Sequence, residues 1–488
     1  MSVSEESLRI LFVSAEVAPY AKVGGLADVA GSLPKALHAL GHDVRVIMPC
    51  YGSIDRQRFE LRQAFERFSV PLPDRDEPAG LQRAEMDGSV PMFFVESERY
   101  FARDAIYGHS DDGERFLFFC RAVLEVVRRM DWAPDILHSN DWHAGIIPSL
   151  LHTTLEGDRF FAGTATVFTI HNLAYQGIFD QKLVTAMGLD ELPKPPVGDR
   201  PGLVNLMSQG ILNADVVNTV SPSYAKEILT PEYGEGLDPL LRYRQARLSG
   251  ILNGLDTEVL DPSTDPHLAA RYDVKNLDRK VQCKLALQRE GGLPADPSIP
   301  LVGVVSRLAD QKGFDLLEPM IEPLLKEVGV QWVLLGTGDK HYENFFRKIE
   351  DRYPGQAAVF LTFDAALAQR IYGGADMFLM PSRYEPCGLG QMIAMRYGTV
   401  PVVHRTGGLA DTVVDYQPAT GVGNGFAFEN YTAHACLAAI VRAVEAFRRP
   451  GEWRTLQRHG MAADFSWSAS ARRYVELYRR AQQLRLED

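Results

Sequence analysis

The sequence predicts an α/β protein built from two doubly wound, largely parallel sheets. Short apolar runs typical of buried strands alternate with stretches of helical periodicity. The series that begins at residue 8 starts afresh after about residue 245. Parallel strands need crossover connections of this kind, and 488 residues are enough for two or three domains. We therefore predict a first domain over residues 1–245 and a second over 246–465.

The first half opens with one strand–helix–strand unit. The apolar run Leu8–Val13 predicts a strand, and apolar side chains recur at helical spacing over Leu26–Leu40, where Gly41 is a good terminator. Asp43–Met48 predicts the next strand. Further strands of this half are predicted at Ile136–His138, Ala165–Ile170 and Asp215–Val220. The polar, proline-rich stretch at 70–81 is predicted to be a loop.

The second half repeats the alternation. Its strands are predicted at Leu301–Val305, Trp332–Leu335, Val359–Leu361, Met377–Met380 and Val400–Val403. Doubly wound domains place their ligand loops at the carboxyl ends of strands. If the two domains face each other, the ligand site is expected in the cleft between them.

Composition narrows the class of protein. Hydrophobic residues make up 46% and charged residues 23%, an ordinary globular mix. The net charge of −12 argues against non-specific nucleic-acid binding. Five scattered cysteines without a CxxC pair favour a reducing compartment. The N-terminal segment MSVSEESLRI lacks targeting features, and no apolar run approaches membrane-spanning length. A cytoplasmic protein without a membrane partner is expected.

The stretch YAKVGGLADV follows the first predicted strand. Gly24 and Gly25 allow backbone to approach a ligand closely. The helix that follows offers N–H groups and a partial positive charge, and Lys22 adds a full charge. These features suit a phosphate; the alternative is a plain glycine turn with a solvated lysine. The stretch is not GxGxxG, so it does not predict a dinucleotide site.

Two further loops of the second half carry charge. Arg307 and Lys312, in SRLADQKG, suit a diphosphate, although such a pair is more often a solvated loop. Glu385, in RYEPCGLGQM, precedes a glycine-bearing helix start whose amides would bind phosphate or sugar oxygens; simple compensation of the helix dipole is the alternative. Cys387 is predicted to be a packing residue rather than a nucleophile, because the sequence shows no base beside it.

Polar residues next to aromatic ones follow two strands of the first half. Asp141 lies beside Trp142 in HSNDWHAG, and His171 and Asn172 lie near Tyr175 in TIHNLAYQG. This mixture suits sugars, whose hydroxyls are hydrogen-bonded and whose ring faces are stacked.

No metal site is predicted. The three histidines of these two segments match no usual zinc spacing: His138, His143 and His171. The acidic triplet DRD at 74–76 lies in the predicted proline-rich loop and is expected to be solvated charge.

With these motifs in order, the chain resembles the bacterial glycogen synthase and plant starch synthase family. The matching segments run from residue 22 to about residue 478: KVGGLADV, HSNDWHAG, TIHNLAYQG, TVSPSYAKEI, YGEGLDPLL, GILNGLD, VSRLADQKGFDLL, MPSRYEPCGLGQM and FSWSASARRYVELY. Nine segments in the family's order are far more specific than one glycine loop.

The resemblance implies two facing Rossmann-like domains of the two-domain glycosyltransferase (GT-B) type. It implies glycogen synthesis: transfer of glucose from ADP-glucose to the 4-hydroxyl at the non-reducing end of an α-1,4-glucan, with retention of the α configuration. The C-terminal helix, about residues 466–488, is expected to pack back on the first domain. No cofactor and no obligatory metal are expected, because cationic side chains and a helix N-terminus can stabilise the leaving diphosphate. The oligomeric state is left open.

The same resemblance assigns roles to residues. Lys22, Arg307 and Lys312 hold the diphosphate, and Glu385 and His171 hold the transferred glucose. Front-face attack is favoured over a covalent intermediate on Glu385. The other implied substrate contacts are Gly24, Gly25, Asp28, Asn172, Asn253, Phe363 as the base-stacking aromatic, the amides of Cys387, Gly388, Leu389 and Gly390, and Asp141 on the acceptor side.

Two departures and several alternatives accompany the resemblance. Ser208 stands where many members carry lysine, and Thr362 where glycine is common. A related enzyme using UDP-glucose or a short acceptor is one alternative. A non-catalytic nucleotide-sugar or glucan sensor is another, although it predicts loss of charged residues that are present here. A dehydrogenase would need GxGxxG, and a glucan phosphorylase would need a pyridoxal phosphate lysine.

Overall fold

The computed structural model describes residues 6–189, 192–198 and 200–487. The first five residues, part of the segment used above to predict the absence of targeting features, lie outside the described residues. The chain forms two compact units: the first runs to Gly254 and includes the C-terminal helix from Trp467, and the second spans Leu255–Ser466. The first unit continues past residue 245 because Leu248–Gly250 pairs with its sheet.

The first unit contains a mixed sheet. Its strands run parallel except at one edge, and their spatial order is β11-β10-β7-β6-β1-β2-β5-β4-β3. A separate antiparallel pair is formed by β8 and β9. The strands are β1 Arg9–Val13, β2 Asp43–Pro49, β3 Arg62–Pro71, β4 Asp76–Met86, β5 Val90–Glu96, β6 Ile136–Asn140, β7 Ala165–Ile170, β8 Ile178–Asp180, β9 Leu203–Asn205, β10 Val216–Thr219 and β11 Leu248–Gly250.

Helices cover the sheet of the first unit. The longest of the crossover helices, α3, buries phenylalanine and aliphatic side chains along most of its length. The helices are α1 Gly25–Ala39, α2 Glu98–Phe101, α3 Asp112–Arg129, α4 Asp141–Ala144, α5 Ile147–His152, α6 Gln181–Ala186, α7 Leu206–Asn213, α8 Pro222–Glu227 and α9 Asp238–Tyr243. The predicted strands and the predicted first helix of this half all lie within a residue or two of these elements.

One prediction for the first unit is wrong. The stretch 70–81 is not a loop, because β3 and β4 form an antiparallel hairpin through it. Prolines and charges argued against a strand, but both are tolerated where one side of a strand is unpaired. Pro71 lies on the edge strand β3, and Pro78 precedes Gly80, where β4 begins to pair with β5.

The second unit is a parallel doubly wound sheet. Its spatial strand order, β14-β13-β12-β15-β16-β17, is the 3-2-1-4-5-6 arrangement of dinucleotide-binding folds. The strands are β12 Leu301–Val305, β13 Gln331–Leu335, β14 Ala357–Phe360, β15 Met377–Met380, β16 Val400–His404 and β17 Phe426–Phe428. The helices are α10 Lys280–Glu290, α11 Ile321–Pro323, α12 Lys340–Arg352, α13 Ala365–Gly374, α14 Gly390–Arg396, α15 Gly407–Thr412, α16 Ala433–Phe447 and α17 Pro450–Ala462.

The last helix, α18 Trp467–Glu487, belongs to the first unit. Two of its tyrosines are buried against polar groups of that unit's strands. The Tyr478 hydroxyl lies 2.9 Å from Nδ1 of His138, and the Tyr474 hydroxyl accepts a hydrogen bond from Asn218 Nδ2 at 3.2 Å. No helix in the described ranges is long and apolar enough to cross a membrane.

Each of the two large sheets has a point where the strand order reverses, between β1 and β6 in the first unit and between β12 and β15 in the second. Ligands of open α/β sheets bind outside the carboxyl ends of strands at such points. Lys22 and Asp141 follow β1 and β6, and Arg307, Lys312 and Glu385 follow β12 and β15. The topology therefore places the predicted residues of each unit at that unit's ligand-binding edge.

Candidate functional site

The glycine loop between β1 and α1 is open in the structure. A Cβ built on Gly24 or Gly25 would meet no described atom within 4 Å, and neither residue has a positive φ. The fold itself therefore does not demand glycine at these positions, which fits a backbone that a ligand approaches. Lys22 is 51% exposed and its Nζ lies 2.6 Å from Asp28 Oδ1.

The sequence did not identify Glu16, a buried carboxylate between β1 and this loop. Its Oε2 accepts hydrogen bonds from the amides of Val23 (2.5 Å) and Gly24 (2.8 Å), and its Oε1 accepts one from the Tyr107 hydroxyl (2.7 Å). These two amides are therefore already engaged, and the N–H groups that remain for a ligand are those of the helix that begins at Gly25. A carboxylate soon after a buried strand was the available signal.

Asp141 begins α4 with φ of +53°, a left-handed conformation that few non-glycine residues adopt. Its Oδ1 accepts the backbone N–H of His171 at 2.8 Å. Burial raises the pKa of Asp141 to about 7, outweighing the opposite effect of hydrogen bonds from the amides of His171 and Asn172. The strand-end loops of β6 and β7 are thus joined through this carboxyl group.

His171 is held as a neutral imidazole. Asn140 Nδ2 donates to the Val13 carbonyl at 3.0 Å, so its Oδ1 is the atom 2.9 Å from His171 Nε2. Oδ1 accepts only, so Nε2 carries the proton and Nδ1 keeps a lone pair. Burial lowers the pKa of His171 to about 3. This ring can therefore accept a hydrogen bond from a sugar hydroxyl at neutral pH.

The remaining predicted polar residues of the first unit make no hydrogen bonds with one another among the described residues. Asn172 Oδ1 accepts the Ala174 N–H at 3.1 Å, and Oδ1 of the buried Asn253 has no hydrogen-bond partner in the described chain. Ser208 lines a cavity of about 350 Å³ together with Arg200 and others. No group of three or more His, Cys, Asp or Glu residues within the described ranges is arranged to hold a metal ion.

In the second unit the strand-order reversal brings two predicted residues into contact. Lys312 Nζ lies 2.7 Å from Glu385 Oε2, and the lysine side chain is only 18% exposed. The same oxygen accepts a hydrogen bond from Ser382 Oγ at 3.0 Å. Oε1 of Glu385 has no hydrogen-bond partner among the described residues. The carboxylate is therefore fixed on one side and open on the other.

Close backbone packing holds the loop that carries Glu385. A Cβ on Gly313 would lie 1.9 Å from the Pro381 carbonyl oxygen, and one on Gly408 would lie 1.9 Å from that of Cys387. The Gly408 N–H donates to the Glu385 carbonyl at 3.1 Å. Sequence reasoning assigned no role to Gly408, although an adjacent glycine pair after a strand was a visible signal.

Other predicted contacts of the second unit lie around this loop or at strand ends. Arg307 is exposed after β12, and Phe363, after β14, is 90% exposed. Cys387 is buried, and burial is typical of a packing cysteine. Helix α14 begins after Leu389 without a side-chain cap, and the N–H groups at such a helix start favour an anion. The five cysteines are buried, and the described chain contains no disulfide.

Comparison with known proteins agrees with this architecture. The family model for the starch synthase catalytic domain matches residues 9–243, and that for glycosyl transferases group 1 matches residues 291–451. The glycogen synthase of Moorella thermoacetica is 51% identical over 97% of this chain and 97% of its own length. The glycogen synthase of Thermotoga maritima is 46% identical over 97% of this chain and 99% of its own.

The chain belongs to the glycogen synthase and starch synthase family. Its fold matches the catalytic domain of starch synthase IV from Arabidopsis thaliana with a TM-score of 0.90 and 36% identity, over 98% of this chain and 100% of that one. Sucrose-phosphate synthase from Thermosynechococcus elongatus, 19% identical with a TM-score of 0.59 over 96% of this chain and 98% of its own, shares the fold. The predicted two-domain glycosyltransferase fold, the family and the enzyme class are thus confirmed.

Membership of the glycogen synthase family makes the chain a glycosyltransferase. The structure brings Lys312 to Glu385 in one unit, and in the other it joins Asp141 to the backbone of His171. Gly388, with φ of +72°, lies in the loop between Glu385 and α14, and the roles of all the predicted residues stay predictions. Glu16 and Ser382, which no sequence motif singled out, are added as residues that hold predicted ones in place.

Proposed function

We propose that this family member transfers glucose from ADP-glucose to the 4-hydroxyl at the non-reducing end of an α-1,4-glucan, with retention of the α configuration. The observation that carries the proposal is the Lys312–Glu385 ion pair at the strand-order reversal of the second unit. A cation beside a half-free carboxylate suits a donor with an anionic leaving group and a neutral sugar. The starch synthase IV structure matched above is described as bound to ADP and acarbose.

The leaving group determines which charges are needed. When glucose departs from ADP-glucose, negative charge grows on the diphosphate, and preorganised cations stabilise the charge that develops. We assign this role to Lys22, Arg307 and Lys312, assisted by the uncapped start of α14. With cations already in place, the chemistry requires no obligatory metal and no cofactor.

The transferred sugar becomes oxocarbenium-like, as in glycoside hydrolysis. Oε1 of Glu385 is available to accept a hydrogen bond from one glucose hydroxyl, and Nδ1 of neutral His171 from another. Neither interaction requires a covalent bond to the enzyme. We favour attack by the acceptor hydroxyl on the face that the diphosphate leaves, with the departing phosphate oxygen taking the acceptor proton.

The remaining contacts follow from exposure and chemistry. Phe363 presents an almost bare ring that can stack on the adenine of the donor. In the first unit, Asp141 and the exposed ring of Tyr175 suit the glucan acceptor. A cytoplasmic location fits the buried, unbridged cysteines, and no nucleic-acid partner is expected for a chain of net charge −12.

To test the proposal, the enzyme is incubated with glycogen and either ADP-glucose or UDP-glucose, each labelled with ¹⁴C in glucose, in the presence and absence of EDTA. The label incorporated into the polymer is measured. The expected result is label in the polymer from ADP-glucose, unaffected by EDTA and released by an α-1,4-specific glucosidase. The matched control is Lys340→Ala, which removes an exposed lysine from its ion pair with the buried Glu343 and should leave incorporation unchanged. Preferential use of UDP-glucose would contradict the assignment of ADP-glucose as the donor. Binding of donor or glycogen without incorporation of label would favour a non-catalytic sensor.

A further inference from the structure

Glu16 makes more hydrogen bonds than a side chain with only a packing role would need. Its backbone is fixed to the end of β1, because Ser14 Oγ donates to the Glu16 carbonyl at 2.6 Å. Its buried carboxylate then collects three donors on two oxygens: the amides of Val23 and Gly24, and the Tyr107 hydroxyl. A buried carboxylate is costly unless it is hydrogen-bonded in this way.

The groups that Glu16 holds belong to the ligand edge of the first unit. Val23 and Gly24 follow Lys22 directly and lead into α1 at Gly25. Tyr107 stacks on His143 of α4, with ring centroids 4.7 Å apart and the planes 27° apart. One carboxylate therefore joins the loop after β1 to the loop before α3 and, through Tyr107, to helix α4 after β6.

We propose that Glu16 is a positioning residue for glucosyl transfer, which fixes the backbone of Val23 and Gly24 and thereby aims Lys22 and the open glycines at the donor diphosphate. The inference rests on the proposed role of Lys22. Glu16 itself touches neither the reacting atoms nor the substrate. Its carboxylate accepts from both amides, so the loop has one geometry before the donor binds.

A carboxylate suits this task because it offers only acceptors. A glutamine keeps one accepting oxygen for the two amides, while its NH₂ group faces the Tyr107 hydroxyl, which can turn and accept. An alanine leaves all three donors without their partner. Misplacement of a substrate-positioning group by about 1 Å can cost about 10²-fold in rate. We therefore expect a large loss of kcat for Glu16→Ala and a much smaller one for Glu16→Gln.

The experiment is a double-mutant cycle with Lys22, which separates positioning from general stability. Donor kcat and KM are measured for Glu16→Ala, Glu16→Gln, Lys22→Ala and both double variants, each corrected for the folded fraction. Glu16→Ala should lower kcat by about 10²-fold in the wild-type background but by only a small part of that factor once Lys22 is alanine. Glu16→Gln serves as the conservative rescue. Glu16→Asp, which keeps the carboxylate but shortens its reach to the Val23 and Gly24 amides, repeats the cycle if Glu16→Ala does not fold.

A matched control carboxylate lies elsewhere in the same unit. Asp215 is buried and accepts both the N–H (2.6 Å) and the hydroxyl (2.7 Å) of Thr166, at the amino ends of β7 and β10. Asp215→Asn should lower the unfolding temperature without changing kcat per folded molecule in either background. It therefore measures what the loss of a buried carboxylate does by itself.

The outcomes separate this inference from the proposed function. Equal factors for Glu16→Ala in the two backgrounds, or unchanged kcat in both Glu16 variants, would overturn the positioning role. Wild-type kcat in Lys22→Ala would instead overturn the role of Lys22, and the positioning role with it. Coupling between Glu16 and Lys22, together with rescue by glutamine, supports both.

Discussion

The two units carry the same pentapeptide, GGLAD, at the same kind of place. In the first unit it follows Val23 and leads into α1; in the second it follows Thr406 and opens α15. The surroundings of the second glycine differ completely. A Cβ on Gly25 would meet no described atom within 4 Å, whereas one on Gly408 would lie 1.9 Å from the Cys387 carbonyl oxygen.

The difference shows that identical local sequence can meet two unrelated physical demands. At Gly408 the absence of a Cβ lets two backbone segments touch, which fixes the loop that carries Glu385. At Gly25 nothing in the described chain needs the space, so we assign it to the donor. The first unit therefore keeps open room for a ligand, while the second has its charged residues assembled in advance.

The largest effects are expected from substituting the two equivalent glycines. Gly408→Ala should destabilise the second unit by about 3 kcal/mol or more, because its Cβ clashes with backbone that cannot give way. Gly25→Ala should leave stability within about 0.5 kcal/mol and still lose most transferase activity. Urea unfolding and donor kinetics of both variants measure the contrast. Equal stability losses would remove the distinction between the two glycines.

The sequence predicted most of this architecture because its signals are local. Buried parallel strands such as Leu301–Val305 are continuous apolar runs, and the charged loops stand directly after them. The β3–β4 hairpin was missed because its two partly exposed strands show no such run. The different roles of the two GGLAD segments could not be predicted from local sequence, since they depend on whether a distant carbonyl lies beside the second glycine.

The role of Glu16 was hidden for the same reason. Its partners Val23 and Gly24 are near in sequence, but Tyr107 is distant, and no spacing rule relates them. Similarly, the sequence proposed Lys312 and Glu385 separately, and the strand order of the second unit brings them to 2.7 Å. Individual candidates were thus predictable, whereas their pairing required the fold.

The next largest effect concerns the assembled pair of the second unit. Lys312→Ala removes a cation proposed to stabilise the leaving diphosphate, and loss of such a donor typically costs roughly 10²–10³ in turnover. Lys284→Ala is the matched control, because Lys284 makes an ion pair with Asp376 in the same unit that has the same length, 2.7 Å, and a more deeply buried lysine. Stopped assays with ADP-glucose should show a kcat loss only for Lys312→Ala. Similar losses in both variants would attribute the effect to stability.

Substitutions of Glu385 test whether its carboxylate orients the sugar or attacks it. If it orients glucose by accepting hydrogen bonds, Glu385→Gln should retain more activity than Glu385→Ala, since the amide oxygen still accepts. A nucleophile would leave both variants nearly inactive. Mass spectrometry of the enzyme during turnover adds a direct measurement, and a glucosyl adduct on Glu385 would replace front-face attack with a covalent mechanism.

A smaller effect, on KM, should distinguish the roles of the exposed aromatic residues of the two units. Phe363→Ala is expected to raise KM for ADP-glucose about tenfold, since stacking on a base is worth roughly 1–3 kcal/mol. Tyr175→Ala, at a ring 63% exposed in the first unit, should instead raise KM for the glucan. Both constants are measured for both variants. A change in donor KM from Tyr175→Ala alone would reverse the assignment of donor and acceptor.

The smallest effect is on the pH dependence of stability in the first unit. Burial raises the pKa of Asp141 from 3.8 to about 7, so between these values the folded state binds a proton that the unfolded state has lost. This stabilisation is complete below about pH 4 and is lost as the pH rises to 7. Burial lowers the pKa of His171 from 6.5 to about 3, which gives the opposite slope below pH 6.5.

Asp141→Asn isolates the first of these two contributions. The asparagine oxygen can still accept the His171 N–H, but the side chain no longer titrates. Relative to wild type, the variant should therefore gain stability steadily from pH 4 to 7, with the His171 contribution unchanged. Urea midpoints of both proteins at four pH values across this window give the difference directly. A difference that stays constant with pH would show that Asp141 is ionised throughout the range, and its proposed contact with the glucan would then be that of a carboxylate.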